Sequence, residues 1–314
     1  MSNKSIQQNN HNTPKPAHLS QTGTYSGNCS FPNHPDMHRS TETVVPHLGE
    51  QTILDRIVAA TRLRVEKRKA NRSLPQIIRE AQRVKTGISF PFETALQKEG
   101  LSFICEVKKA SPSKGIISPD FPYVKIAEEY ENAGADAISV LTEPEFFMGS
   151  DDYLYEIQQK VTIPTLRKDF IIDVYQLCET KLLGASAVLL ICSVLEPQAL
   201  REYIAICDEL SLSALVETHD EKEVESALYA GARIIGVNNR NLKDFTVDLN
   251  TSICLRKLVP NSVLFVAESG IRDEKDVKRL KQAGVDGVLI GETLMRSVNK
   301  RGMLKKLREC GEWH

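Results

Sequence analysis

The sequence predicts an α/β protein built as a closed (β/α)₈ barrel, and three observations carry that expectation. Eight short apolar runs alternate with amphipathic segments from Phe103 onward. Most of these runs are continuously apolar, the mark of parallel strands covered on both faces. A glycine step also recurs: Gly134-Ala135-Asp136, Gly184-Ala185-Ser186, Gly231-Ala232-Arg233 and Gly284-Val285-Asp286 stand 50, 47 and 53 residues apart. Each closes a helical pattern and opens a strand, so each interval holds two β-α units. A doubly wound open sheet is the alternative. It needs a glycine-rich fingerprint after an early strand, and the stretch 109–115 holds a single glycine.

Taken in order, residues 1–48 are rich in Asn, Ser, Thr, Gln, His and Pro, with no acidic residue before Asp36. Such a segment buries too little apolar surface to offset its ordering entropy and is expected to be a disordered polar tail. His11, His18, His34, His38 and His47 lie in it at irregular spacing, with no cysteine or carboxylate cluster to complete a metal site. Residues 49–314 are expected to form one barrel domain, entered through one or two extra N-terminal helices over the barrel mouth or bottom. Thr52 stands three residues before Asp55, as in a helix cap, and Ile53, Ile57, Val58 and Val65 follow with helical period. A second helix is expected over about 74–84. Strands are expected at 103–107, 137–141, 162–166, 187–191, 213–216, 233–237, 263–267 and 287–290. Helices are expected between them, among others at 123–133, 174–183, 198–210, 222–230 and 274–283.

Composition narrows the function. The chain has 314 residues, 41% of them apolar, and a formal net charge of -1. A nucleic-acid partner normally demands a basic face, so none is expected. No apolar run reaches the ~20 residues needed to cross a bilayer, and the N-terminus has no apolar stretch of signal-peptide type, so no membrane partner is expected either. The cysteines number seven, without a close C-x-x-C pair, and Cys105 and Cys192 sit in apolar runs. Buried free thiols in a reducing, cytoplasmic compartment are the simple reading.

A barrel of this kind keeps its site at the C-terminal strand ends. Glu106 and Lys108 are two residues apart at the first strand's exit and so share a face. The third strand ends in Arg167-Lys168-Asp169, the fifth in Glu217, the sixth in Asn238-Asn239-Arg240 and the seventh in Glu268-Ser269. Any one of these reads equally well as a salt-bridge partner. So many in succession, beside an apolar interior where unpaired charge is costly, read as a site. A second signal is for phosphate. Ser269-Gly270 after strand seven and Gly291-Glu292-Thr293 after strand eight place glycine and hydroxyl residues in the two loops from which barrels often build phosphate sites. A short helix from about Thr293 would aim its N-terminus at the anion, and Ser111 with Lys114 would close the site from strand one. The bland alternative is two tight turns. No metal and no cofactor is expected: His219 is the only histidine between residues 48 and 313, and no cysteine ligand set accompanies it. His219 itself is expected to cap a helix or face solvent. Acid–base work therefore falls to carboxylates and lysines.

These residues carry a resemblance. The stretch Phe103-Ile104-Cys105-Glu106-Val107-Lys108-Lys109-Ala110-Ser111-Pro112-Ser113-Lys114-Gly115 resembles the first-strand motif of the indole-3-glycerol-phosphate synthase family of the tryptophan pathway. Leu141-Thr142-Glu143 with Phe146-Phe147-Met148-Gly149, Leu166-Arg167-Lys168-Asp169-Phe170, Leu215-Val216-Glu217-Thr218-His219 and Val237-Asn238-Asn239-Arg240 continue it. The resemblance spans about residues 50 to 309. It implies a lyase that closes the indole ring of 1-(2-carboxyphenylamino)-1-deoxyribulose 5-phosphate with loss of CO₂ and water. By motif, Lys168 resembles the general acid at the ribulose carbonyl, Lys108 the lysine that pairs with the substrate carboxylate, and Glu217 the other acid–base group. Glu106, Asn238, Arg240 and Glu268 resemble the polar wall; Ser111, Ser269, Gly270 and Gly291 resemble the phosphate end. The partner implied is a small anionic sugar phosphate, and nothing in the sequence selects a partner among other tryptophan-pathway enzymes. The family often has serine where Glu292 stands, so that side chain is expected to point away from the phosphate. A sugar-phosphate isomerase or Schiff-base aldolase, or a non-catalytic phosphometabolite binder, remain the alternatives on the residues alone.

Overall fold

The computed structural model describes residues 52–84 and 89–309. The tail expected at 1–48 lies outside them. Helix α1 (Ile53–Asn71) opens with a closed capping box. The Thr52 hydroxyl accepts from the Asp55 N–H at 3.2 Å, and the Asp55 carboxylate accepts from the Thr52 N–H at 2.9 Å. Helix α2 (Leu74–Arg83) carries Pro75 in its first turn, where a missing N–H leaves no bond unmade. A third helix, α3 (Pro91–Leu96), is only six residues long and too short to leave a periodic signal.

Eight parallel strands follow: β1 (Ser102–Val107), β2 (Ala137–Leu141), β3 (Thr165–Lys168), β4 (Ala187–Ile191), β5 (Ser213–Thr218), β6 (Ile234–Asn238), β7 (Leu264–Glu268) and β8 (Gly287–Ile290). They form a closed barrel in which β1 pairs with both β2 and β8, which disposes of the open-sheet alternative. Around it run α4 (Tyr123–Asn132), α5 (Asp151–Gln158), α6 (Val174–Leu182), α7 (Pro197–Glu209), α8 (Glu221–Ala230), α9 (Asn250–Leu255) and α10 (Glu274–Gln282), then α11 (Glu292–Arg296) and α12 (Lys300–Glu309) after β8. The recurring glycine step does what its spacing implied. Gly134, Gly184, Gly231 and Gly284 take φ of 94°, 81°, 88° and 78°, the left-handed turn that ends a helix and releases the chain into the next strand.

Alternation along the strands sorts the side chains. Phe103, Cys105 and Val107 face outward under the helices, whereas Ile104 joins an inner cluster with Leu166, Leu189, Leu215, Ile234, Val266 and Leu289. Phe92 and Leu96 of α3 complete that inner cluster. The Ser102 hydroxyl donates to the Ala95 carbonyl at 3.0 Å, which fixes α3 across the N-terminal end of the barrel. The opposite end belongs to α1. Its Ile53, Leu54 and Ile57 border the mouth, and its Arg64 reaches Glu143 at 3.3 Å and Asp169 at 3.5 Å. The extra helices therefore serve both ends.

Strand boundaries move at both ends. Strand β3 begins at Thr165 rather than 162, because Pro164 has no N–H for a ladder. The N–H groups of Thr162 and Ile163 go instead to the Glu131 carboxylate at 2.7 and 3.2 Å. At their other ends β3, β5, β6 and β7 all run on past the last apolar residue, through Lys168, Glu217, Asn238 and Glu268.

Candidate active site

The strand extensions set the site. In β1, Glu106 lies two residues beyond the inward Ile104; in β3, Lys168 lies two beyond Leu166. Glu217 follows Leu215, and Glu268 follows Val266, by the same spacing. Each inner apolar layer is thus topped by a charged one at the C-terminal mouth. A cavity of about 530 Å³ opens there, the size of a small-molecule site. Glu106, Lys108, Ser111, Lys168, Glu217, Asn238, Arg240, Glu268, Ser269, Gly270, Gly291 and Glu292 all border it, whereas Arg167 and Asn239 of the strand-end runs do not.

Lys168 is the hub. Its Nζ lies 3.0 Å from Glu217 Oε2 and 3.4 Å from Glu268 Oε2. Burial works against its charge, but Glu217, Glu268 and Glu106 outweigh it and hold the ammonium well above the usual lysine range. Glu217 is also buried, which alone would raise its pKa; the Lys168 and His219 charges and an Asn238 amide bond at 3.3 Å hold it low instead. Glu268 goes the other way. Burial comes first, the Lys168 charge opposes it, and the Glu217 and Glu106 carboxylates tip the balance, pushing Glu268 up to about 7. Two buried carboxylates on one lysine are therefore shifted in opposite directions, the pattern of an acid–base site. Lys108 Nζ donates to Glu106, the pair that two-residue spacing anticipated.

Space for these carboxylates comes from missing side chains. A Cβ at Gly236 would strike Glu268 Oε1, and one at Gly291 would strike Glu106 Oε1. Gly291 thus serves the charged wall as well as the loop expected to hold phosphate. In the other expected phosphate loop, Ser269 and Gly270 take φ of 65° and 86°, consecutive left-handed residues that turn the backbone sharply.

Three expectations change. Glu292 does not turn away: its carboxylate lies 3.1 Å from Arg296, 3.7 Å from Lys114 and 3.8 Å from Arg240, at the end of the cavity expected to take the anion. The arginines and lysine neutralise what would otherwise repel a phosphate. Of the run Arg167-Lys168-Asp169, Arg167 points outward. It is fully buried among helices, where it donates to Asp151 at 2.9 Å and Asp169 at 3.3 Å. His219 neither caps nor faces solvent. Asp220 is the cap of α8, and the His219 ring turns in toward Glu217.

Sequence reasoning also missed an aromatic wall. Phe147 and Phe170 border the cavity with ring centroids 6.0 Å apart. The buried Glu143 carboxylate orders the first of them by accepting the N–H groups of Phe146 and Phe147 at 2.7 and 3.0 Å. Among the described residues no group of three or more His, Cys, Asp or Glu side chains is arranged to hold a metal ion.

Comparison with known proteins agrees with this geometry. The family model described as "Indole-3-glycerol phosphate synthase" matches residues 54–307. The chain belongs to the indole-3-glycerol phosphate synthase family. The synthase of Ruminiclostridium cellulolyticum is 57% identical over 256 residues, 82% of this chain and 98% of that protein. The synthase of Endomicrobium trichonymphae is 56% identical over 257 residues, covering 82% of this chain and all of its own. Among solved structures, 3-hexulose-6-phosphate synthase from Salmonella typhimurium superposes with a TM-score of 0.56 at 15% identity, covering 67% of this chain and 98% of that one. That likeness is one of barrel fold alone.

Proposed function

We propose that this barrel closes the indole ring of 1-(2-carboxyphenylamino)-1-deoxyribulose 5-phosphate to give indole-3-glycerol phosphate, CO₂ and water, with Lys168 as the general acid. The observation that carries the assignment is Lys168 held as an ammonium between Glu217 and Glu268 at the floor of the cavity. As the aryl ring carbon attacks the ribulose carbonyl carbon, the carbonyl oxygen gains negative charge, and Lys168 supplies its proton. Loss of CO₂ restores the ring electrons. The new hydroxyl then leaves as water, its proton supplied by Lys108 or Glu217 and the ring nitrogen providing the electron pair. The resulting cation gives up a proton from the carbon beside nitrogen to the Glu217 carboxylate, which leaves the neutral indole. Lys108 would face the ring carboxylate, while the ring itself lies along Phe147 and Phe170. Arg240, Ser111 and the loops at Gly270 and Gly291 would take the phosphate. The Glu268 Oε1 atom is buried without a hydrogen-bond partner, a place for a sugar hydroxyl to donate.

A Schiff-base aldolase reading asks Lys168 to be a neutral nucleophile, and an ammonium held by two carboxylates is poorly suited to that. A cytoplasmic location belongs to the proposal, supported by buried free thiols at Cys105, Cys178 and Cys207; no described helix is long and apolar enough to cross a membrane. The test is direct. Incubated with the arylamino-deoxyribulose phosphate, the enzyme should produce indole fluorescence, and borohydride should trap no adduct on Lys168. Absence of fluorescence, or an adduct, overturns the assignment.

A further inference from the structure

Beside the cavity, but outside its wall, lies one buried polar atom that the proposed reaction leaves unused. His219 Nε2 has no hydrogen-bond partner and sits 3.4 Å from Glu217 Oε1. The other ring nitrogen is engaged: Nδ1 lies 3.0 Å from Glu223 Oε2, which also accepts the His219 backbone N–H at 2.7 Å. A carboxylate can only accept, so Nδ1 carries the proton of that bond. A neutral ring would then aim the Nε2 lone pair at a Glu217 carboxylate, two acceptors face to face. One proton placed between them removes the conflict.

We propose that His219 is a positioning residue for Glu217, sharing one proton with it across the Nε2–Oε1 gap while Glu223 fixes the ring's orientation. The inference rests on the acid–base role proposed for Glu217. When Glu217 has taken a proton, its O–H bond breaks as an Nε2–H bond forms, leaving a carboxylate and an imidazolium. The reverse transfer rearms Glu217, and no further reactant is needed. His219 does not border the cavity, so it acts on the reaction only through Glu217.

The groups facing the ring suit this exchange. Glu217 stands on β5 and Glu223 on α8. Lys168 binds the far oxygen of Glu217, Oε2, from β3, while Asn238 from β6 donates to Oε1, the oxygen that also faces the ring, and Glu268 adds its charge from β7. Asp220 caps α8 beside Glu223. From the end of β4 the Cys192 thiol, which burial pushes up to about 12, donates to the Glu223 carbonyl. Burial disfavours the imidazolium, but the Glu223 hydrogen bond and the Glu217, Glu223 and Glu268 charges outweigh it, so the ring titrates above its ordinary value. Its proton is present at low pH and is lost as pH rises through that raised value.

Activity should therefore have an alkaline limb set by this ring. Three proteins test it: wild type, His219→Gln and Glu223→Gln. In His219→Gln, which keeps an N–H donor but cannot titrate, the limb should vanish and kcat fall by about 10–100-fold, the loss of one charge-assisted bond. KM should stay within about twofold. In Glu223→Gln the limb should move to lower pH. Proton NMR of the ring, assigned by the resonance missing from His219→Gln, should report the same downward move without substrate. A histidine with a merely packing role would change melting temperature and leave the limb in place in both variants. That result, or a wild-type ring titrating at the ordinary histidine value, overturns the inference. Should wild type form no indole product, the proposed reaction fails, and the ring titration in wild type and Glu223→Gln still decides the His219 contact. If His219→Gln does not fold, the position of the alkaline limb in Glu223→Gln decides alone.

Discussion

Lys168 and Lys108 reach one cavity from β3 and from just beyond β1, yet their neighbours differ. Lys168 answers to two carboxylates on other strands, while Lys108 answers to Glu106 two residues away on its own. A general acid acts in the transition state, so Lys168→Ala should lose at least about a hundredfold in kcat with a smaller change in KM. Lys108→Ala should raise KM and lower kcat together, because it would hold the substrate carboxylate and share in dehydration. Steady-state kinetics with circular dichroism as a folding control separates the two; near wild-type turnover by Lys168→Ala would pass the general-acid role to Lys108. Ser111→Ala should weaken substrate binding by roughly 1–2 kcal/mol, one lost bond to a phosphate oxygen. At this scale the lysines and carboxylates were legible because the strand period alone sends residues two apart to one face. The His219 contact was not legible. A lone histidine after a strand looks like a cap, and only the fold shows that Asp220 has taken that task and freed the ring to turn inward.

The strands themselves were found by their apolar runs, and that criterion stops each one short of the chemistry. Ladder hydrogen bonds join backbone to backbone and are indifferent to charge, so β5, β6 and β7 continue to Thr218, Asn238 and Glu268 where the cavity gives charge somewhere to stand. The opposite error came at Pro164, where an apolar residue looked like strand and the missing N–H ruled it out. Short helices such as α3, α5 and α9 left too few turns to read. Helices α1, α5 and α6 are joined by an ionic network that no local pattern announces. Arg68 on α1 meets Asp151 at 2.7 Å and Glu179 at 2.8 Å, and Arg167 on β3 meets the same Asp151. Removing Arg167 would leave Asp151 to the part-exposed Arg68 and the buried Asp169 to the more distant Arg64, 3.5 Å away, and would empty the buried space that the Arg167 side chain fills. Arg167→Ala should thus destabilise the fold by about 3–5 kcal/mol in urea unfolding, a loss greater than for an exposed pair. A loss below about 1 kcal/mol would show that the network is dispensable.

For the whole molecule, the site leaves a mark on stability. Glu268 has an ordinary value of 4.5 and sits near 7 when folded, so the folded chain keeps a proton that the unfolded chain releases. Its contribution is fully present below about 4.5 and disappears as pH climbs through about 7. Glu268→Gln should flatten the decline of melting temperature across that window; a wild-type decline that persists unchanged in the variant would assign it to other groups. The composition of residues 1–48 leads to a further expectation, that their removal leaves melting temperature and kcat unaltered. The way the barrel closes also bears on how it is made. Strand β1 pairs with β8, some 180 residues later, in the register Ser102↔Gly287 to Cys105↔Ile290. On the ribosome, therefore, the first strand to emerge waits with one edge unpaired until the last has been synthesised, open to wrong partners throughout. Ser111 and Gly291 flank that final seam. An unfinished chain would then lack a joined phosphate end, and the ability to hold the substrate would arrive only with the completed protein.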